Sequence, residues 1–525
     1  MKRSAPDDMP AKKAKTDAHE TKEEKGEVPK KEEKKEAVVK TETGETKTKV
    51  VARRECPYLG TINRQLLDFD FEKLCSITMS NLNAYCCLIC GRYFQGRGKH
   101  TPAYTHALEE QHFVFLNLHT CKVYCLPENY EVEDASLNDI KFYLNPTFSS
   151  EDVKGLGTVV QYGKSLDGTD FLPGLIGLNN LGKTDFFNVV IQLLLQVTPV
   201  RNNLLLMDFD NIQKPDPVLL SLSELSRKIF NPKNFKGIVS PHEFLQAVGI
   251  ASKKQFRIGE QRDPLALLSW LLARLHQRLK RDDGASVVHD ALQGLVRVRS
   301  SDASKLHLDP EESSQPYLFL SLEVPPAPIF VDSLDKSRIP QVPIFDLLQK
   351  FDGEKVFEPT PNKLKRYALE KLAPFLLIQI QRFSKNNFFV EKNPTIVTFP
   401  VKHLDLADFI APDIPPTDNP VTKYDLVANI CHEGKASAGS FKIHALHVPT
   451  STWYEIEDLR VTQVLPQQIA VSESYVQLYR RQDVKPDGSL DTEMRRQRIA
   501  ELKAAAAPPE GGDATDDIDM FADGE

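Results

Sequence analysis

The sequence has no cysteine between Leu126 and Ile430, a gap of more than half its 525 residues. It holds two tryptophans, and its first fifty residues contain no phenylalanine, tyrosine or tryptophan. No apolar run approaches the ~20 residues that a membrane-crossing helix needs; VVIQLLLQV is among the longest. The thiol gap excludes a secreted disulfide scaffold, which would carry cysteines along its whole length, and the start MKRSAPDDMPAKKAK is not an apolar signal segment. The expectation is a soluble chain in a reducing compartment, with no membrane partner. Acidic side chains outnumber basic ones, 73 to 66, and the net charge of −7 argues against a general polyanion binder. What is present is uneven. Cys56, Cys75, Cys86, Cys87, Cys90, Cys121 and Cys125 crowd one stretch, and Cys431 stands alone.

Composition divides the chain. Residues 1–50 carry 14 Lys or Arg and 12 Asp or Glu, too little apolar surface to offset chain entropy, so a disordered tail is expected. Lys2-Arg3 and Lys12-Lys13-Ala14-Lys15 within it resemble a nuclear-import signal. A Cys/His-rich module is expected over 54–146, a glycine-containing linker over 147–170 and a larger domain over 171–483. Residues 484–525 should form a helix around TEMRRQRIAELKAAAA and then an acidic disordered tail from Pro508. Helical periodicity marks DFFNVVIQLLLQV, DPVLLSLSELSRKIF and LALLSWLLARLHQRL. Strand patterns mark LQGLVRVRS, YLFLSLEV, FLLIQIQRF, TIVTF, YDLVANICH, GSFKIHALHV and SYVQLYRR, with SSDASKLHLDPEESSQ read as an inserted loop. Helices first and strands second imply an α+β domain with a long, largely antiparallel sheet.

Cys87-Leu-Ile-Cys90-Gly91 is a metal knuckle: two thiolates two residues apart can hold one ion while glycine turns the chain. His106 and His112 complete a Cys₂His₂ set for one structural zinc ion, with Cys86, His100 and His119 also within reach. Gly177-Leu-Asn-Asn-Leu-Gly182-Lys183-Thr184 fits the phosphate-loop pattern, which would place Lys183 on phosphates and Thr184 on magnesium. Against a nucleotide hydrolase, Pro173 and Gly174 weaken the strand that should precede the loop, and strand–helix alternation is missing.

CPYL at Cys56, CCLICGRYF at Cys86, THALEEQH at Thr105 and VYCLPENY at Val123 resemble the ubiquitin-protease-type (UBP) zinc finger. The fullest form of that finger binds three zincs and can hold the ubiquitin C-terminus. Here Tyr58, Thr78 and Glu128 stand where further ligands would, which leaves Cys56, Cys75 and Cys125 as remnants packed like small hydrophobes. GLNNLGKTDFFNVVIQLL is similar to the nucleophile box of ubiquitin-specific proteases. The likeness continues in order through QRDPLALLSWLLARLH, YLFLSLEVP, LAPFLLIQIQRF, KNPTIVTFP, HEGKASAGSF and WYEIED. It implies a papain-like fold of thumb, fingers and palm.

The departures bear on chemistry. The nucleophile position holds Asp185, the oxyanion-stabilising asparagine is replaced by Lys183, the general base by Ser440, and the base-orienting residue falls at Glu457 or Asp458. The fingers lack the paired cysteines that hold a zinc in many family members. Cys431 and His432 are adjacent on a strand and point to opposite faces, while a Cys431–His444 pairing made by tertiary folding stays open. With FSKNNFFVEKNPTIVTFP, the combination resembles the inactive ubiquitin-protease-like splicing proteins of the tri-snRNP. This resemblance implies a nuclear, non-catalytic pre-mRNA splicing factor that makes protein contacts with tri-snRNP components. A ubiquitin-binding adaptor or residual deubiquitinase is the alternative and a phosphate-loop NTPase a remote one. Ubiquitin binding weakened or lost is compatible with the pattern, and snRNA contact is not readable from it.

Overall fold

The computed structural model describes residues 56–506 except 210, 211, 213, 303–309, 327–339, 361–362, 386–389 and 437. The basic clusters of the first fifty residues and the acidic tail from Pro508 lie outside the described residues.

The Cys/His-rich module is a five-stranded antiparallel sheet flanked by two helices, Pro102–Glu109 and Asn138–Leu144. Its strands are short, three or four residues each, so little core lies between them; Leu67, Phe69, Val114, Leu116 and Ile140 supply it. The module packs on the following domain through its segment 67–73. Phe235, from the larger domain, inserts into the module's core and stacks on Tyr143 at 4.3 Å. Beneath this lies a buried ion pair: Lys228 Nζ donates to Asp70 Oδ1 (3.1 Å) and to the Phe69 carbonyl (2.8 Å). The other oxygen of Asp70 accepts Ser240 N–H at 2.8 Å.

Residues 147–170, expected as a linker, are partly built into the domain. Ser149 and Asp152 form a reciprocal capping box that starts the helix Ser150–Gly155, and Val153 enters the main core. The three periodic apolar segments form helices Asp185–Leu195, Pro217–Ile229 and Pro264–Arg278. Asp216 and Asp263 cap the latter two, and Pro occupies the first helical position of each, where its missing N–H costs nothing. Helix Asp185–Leu195 is buried on every side, which explains its unbroken apolar run.

All seven expected strand segments lie in sheets. The palm sheet is antiparallel except where Phe319–Glu323 runs parallel to Phe375–Gln381. Its long central hairpin pairs Lys423–Lys435 with Ala438–His447. Ile430, Ile443 and Ala445 on this hairpin face the helices, and alternation sends Cys431 and His444 to the other face. The segment read as an inserted loop is partly strand: Glu311–Tyr317 pairs with Gly294–Asp302 over seven positions. Its side chains are polar and nearly all exposed, so hydrophobic alternation, the signal used to find strands, is missing. This four-stranded unit is the fingers region, and packing and ion pairs such as Arg297–Asp413 and Arg299–Glu312 hold it. Helix Thr492–Ala506 closes the described chain, tied back by Arg495 to Asp483 at 2.9 Å. No single described helix is long and apolar enough to cross a membrane.

Candidate functional site

The knuckle forms at the end of strand Ala84–Cys87. Gly91 turns the chain with φ +76°, and a Cβ there would meet the Leu66 carbonyl oxygen at 2.2 Å, so glycine is required. Helix Pro102–Glu109 presents His106, whose ring stacks on Phe94 at 4.1 Å. The candidate ligand atoms of Cys87, Cys90, His106 and His112 all lie within 4.8 Å of one another. His106 Nε2 is 3.4 Å from Cys90 Sγ and 3.1 Å from His112 Nδ1. Tetrahedral zinc with ordinary Zn–S and Zn–N bonds separates S from N by about 3.6 Å and N from N by about 3.3 Å. The donor set and its spacing fit the ion. Cys86 points away into the module core, and neither it, His100 nor His119 joins the cluster. Of the remnants, Cys75 and Cys125 are fully buried. Tyr130 donates its hydroxyl to Cys56 Sγ at 3.5 Å, and Cys125 Sγ lies 3.7 Å from Glu128.

The second cluster is where the nucleophile box meets the palm hairpin. Asp185 is the first residue of its helix, and one oxygen, Oδ2, accepts Phe441 N–H at 2.8 Å and Gln261 Nε2 at 2.8 Å. Gln261 Nε2 also reaches the Gly439 carbonyl at 3.0 Å. Burial pushes the Asp185 carboxyl above its ordinary value; the charge of Asp458 adds to this, against the hydrogen bond from Phe441. Ser440 lies between the two hairpin residues held in this way, with no imidazole at its position. Glu457 ends the strand Thr452–Glu457, and Asp458, at φ +50°, is the carboxylate that turns toward the box. Its two oxygens accept Asn188 Nδ2 (2.8 Å) and Asn180 Nδ2 (2.9 Å). Lys183 is exposed and in a left-handed conformation. The arrangement holds carboxylates and amides, with no thiol at position 185 and no imidazole at position 440; the buried ring of His432 lies against Gly439 and Phe441.

The phosphate-loop pattern has another physical explanation. Gly182 N–H and Thr184 N–H, donors that would cradle phosphate, both bond Asn180 Oδ1, at 3.0 and 2.9 Å. Thr184 is fully buried, and its hydroxyl bonds Asn180 as well. A Cβ at Gly177 would meet the Leu459 carbonyl at 2.6 Å, so this glycine serves packing against the palm. LLLMD belongs to helix Thr198–Leu206 and its end, not to a metal-supporting strand.

Cys431 and His444 are brought together. Cys431 Sγ is 3.6 Å from His444 Nδ1, and His444 Nε2 is 3.1 Å from Glu455 Oε2. Burial works against charge on the His444 ring, but the Cys431 sulfur and Glu455 outweigh it and push the group up to about 9. The hydrogen bond from His444 holds Glu455 down to about 2. Glu455 escaped sequence reasoning. The signal for it was register: strand Thr452–Glu457 places Glu455 directly opposite His444, and on the other side Asn429 opposite His444 makes Cys431 the diagonal neighbour.

Residues 176–479 match the family described as "Ubiquitin carboxyl-terminal hydrolase", and residues 74–137 match "Zn-finger in ubiquitin-hydrolases and other protein". The chain is 45% identical over 470 residues to "Ubiquitin carboxyl-terminal hydrolase 39" of Homo sapiens, covering 85% of this chain and 83% of that protein. It is 42% identical to "Probable mRNA-splicing protein ubp10" of Schizosaccharomyces pombe, over 81% of this chain and 88% of the relative. Identity to "Pre-mRNA-splicing factor SAD1" of Saccharomyces cerevisiae is 30%, over 81% and 93%. A solved structure described as "Crystal structure of an essential yeast splicing factor" superposes with a TM-score of 0.68 at 29% identity, covering 81% of this chain and 99% of that one. With a UBP-type finger ahead of a thumb, fingers and palm, this chain belongs to the ubiquitin carboxyl-terminal hydrolase family, in which its relatives include pre-mRNA splicing factors.

Proposed function

We propose that the protein is a nuclear, non-catalytic pre-mRNA splicing factor that supports assembly or stability of the spliceosomal tri-snRNP through protein–protein contacts. One observation carries the non-catalytic part. At the helix start where this fold places its nucleophile stands Asp185, already engaged by Phe441 N–H and Gln261, and no base stands at Ser440. A carboxylate used as a hydrogen-bond acceptor in this way cannot replace a thiolate in acyl transfer from an isopeptide. Loss of that chemistry leaves the scaffold free to act as a surface. The splicing role is supported by the relatives' names, including those with 81% of this chain aligned.

The finger holds one structural zinc through Cys87, Cys90, His106 and His112. It occupies 54–146 and precedes a degenerate protease-like domain over 171–483. Lys183, Asp185, Ser440 and Glu457 with Asp458 mark the lost catalytic positions.

The test is affinity purification of the full chain from nuclear extract with identification of RNA and protein, run beside a fluorogenic ubiquitin C-terminal substrate. Recovery of tri-snRNP proteins with no turnover is expected. Turnover lost on Cys431→Ala would overturn the non-catalytic reading, and absence of splicing components would overturn the partner assignment. Ubiquitin titration in the same preparation distinguishes an adaptor from a scaffold that no longer binds it.

A further inference from the structure

The face of the palm sheet turned away from Asp185 carries a nucleophile that the proposed function does not use. Cys431 is 1% exposed and His444 3%, on neighbouring strands Lys423–Lys435 and Ala438–His447; Glu455 comes from the third, Thr452–Glu457. The cysteine, imidazole and carboxylate are linked at 3.6 and 3.1 Å. Lys442 Nζ, 3.0 Å away, also holds Glu455 in place. The sulfur further accepts Asn429 Nδ2 at 3.2 Å and lies 3.2 Å from Ser472 Oγ. Ser472 gives its own proton to the Ile469 carbonyl at 2.7 Å. Ser472 Oγ is therefore an acceptor for the Cys431 S–H, and an amide donor and an imidazole also converge on this sulfur, which no carboxylate touches. An isopeptide is a poor substrate for it, because alternation puts the sulfur on the far side of the sheet from the helix that begins at Asp185. Ser472, in the turn from Ile469 to Ser474, lies against the sulfur, and Val471 in that turn is 54% exposed. A molecule as small as a peroxide needs only a local opening of that turn.

We propose that Cys431 is a peroxide-reactive modification site, activated by His444 and Glu455. In the step, the Cys431 thiolate attacks one oxygen of hydrogen peroxide, forming an S–O bond as the O–O bond breaks. The sulfur is oxidised to sulfenic acid and the peroxide reduced; the departing hydroxide takes the His444 Nδ1 proton and leaves as water. Charged groups near the sulfur are His444 and Lys442 on one neighbouring strand, Glu455 beyond it and Arg382 at the end of strand Phe375–Gln381; Glu473, on the same turn as Ser472, is paired with Lys392.

The zinc-loaded full chain is treated with hydrogen peroxide and dimedone between pH 6 and 8, and adducts are mapped by peptide mass spectrometry. Half-buried Cys121 serves as the internal reference. Faster labelling of Cys431 than of Cys121, and a loss of about tenfold or more in His444→Gln, are expected. Glu455→Gln serves in its place if His444→Gln does not fold, as judged by circular dichroism. Cys431 unlabelled in the native chain, or labelled equally in the wild type and the folded variant, overturns the proposal.

Discussion

Replacing Asp185 with asparagine, alanine and cysteine separates the structural work of this side chain from the catalytic role its position once implied. One oxygen accepts two hydrogen bonds, from Phe441 N–H and Gln261 Nε2, both 2.8 Å long and partly or fully buried. Asparagine keeps an acceptor oxygen of the same reach and removes the charge that burial disfavours. Since the folded-state carboxyl is raised above its unfolded value, its ionisation works against folding once the pH exceeds the unfolded value, and the penalty disappears below it. At neutral pH, Asp185→Asn should therefore be as stable as the wild type or more so, by up to about 1 kcal/mol. Asp185→Ala leaves Phe441 N–H buried without a partner and should cost about 1–3 kcal/mol. Asp185→Cys restores the thiol in name only: with Ser440 in place of the base, turnover of a ubiquitin C-terminal substrate should stay at background. Urea unfolding followed by circular dichroism reads the first two, and fluorogenic hydrolysis the third. An asparagine variant as unstable as the alanine variant would refute the account of the buried charge, and hydrolysis by Asp185→Cys alone would refute the claim that the base is missing.

Lys228→Ala should cost about 3–5 kcal/mol, because it strands the Asp70 carboxylate in the contact between finger and thumb; an unchanged urea midpoint would contradict the ion pair's role. Cys90→Ala should abolish zinc in metal analysis, against about one ion per chain in the wild type, and chelation should lower the finger's melting temperature. The His444–Glu455 pair should support the palm over a defined window. Glu455's contribution is lost as pH falls through about 2, and that of His444, raised to about 9, is lost as pH rises through that value. An NMR titration showing His444 at its ordinary value would disprove this.

Chemistry carried by residues close in sequence was open to reading directly. A knuckle brings two candidate ligands together by its own turn, and a helix displays His106 with His112 just beyond it, so four candidate ligands within 26 residues needed no knowledge of the remaining chain. The helices and palm strands were legible because their burial follows period 3.6 or period 2. The strand Glu311–Tyr317 was not, since solvent on both sides removes the pattern. Glu457 and Asp458 could not be ranked by sequence, because the choice depends on a left-handed residue at the strand's end.

By itself, then, the sequence determined a Cys/His cluster able to hold a metal ion, the order of elements, and the presence of Asp185 and Ser440 where the family resemblance places a thiol and an imidazole, since each of these is a matter of residue identity or local periodicity. Only the tertiary structure decided that Asp185 clasps the hairpin through Phe441 N–H, that Lys228 reaches Asp70 across 158 positions, and that Cys431, His444 and Glu455 meet. Those contacts depend on strand register and on the docking of one element against another, which are set by the packing of the whole core and leave no periodic trace in the chain.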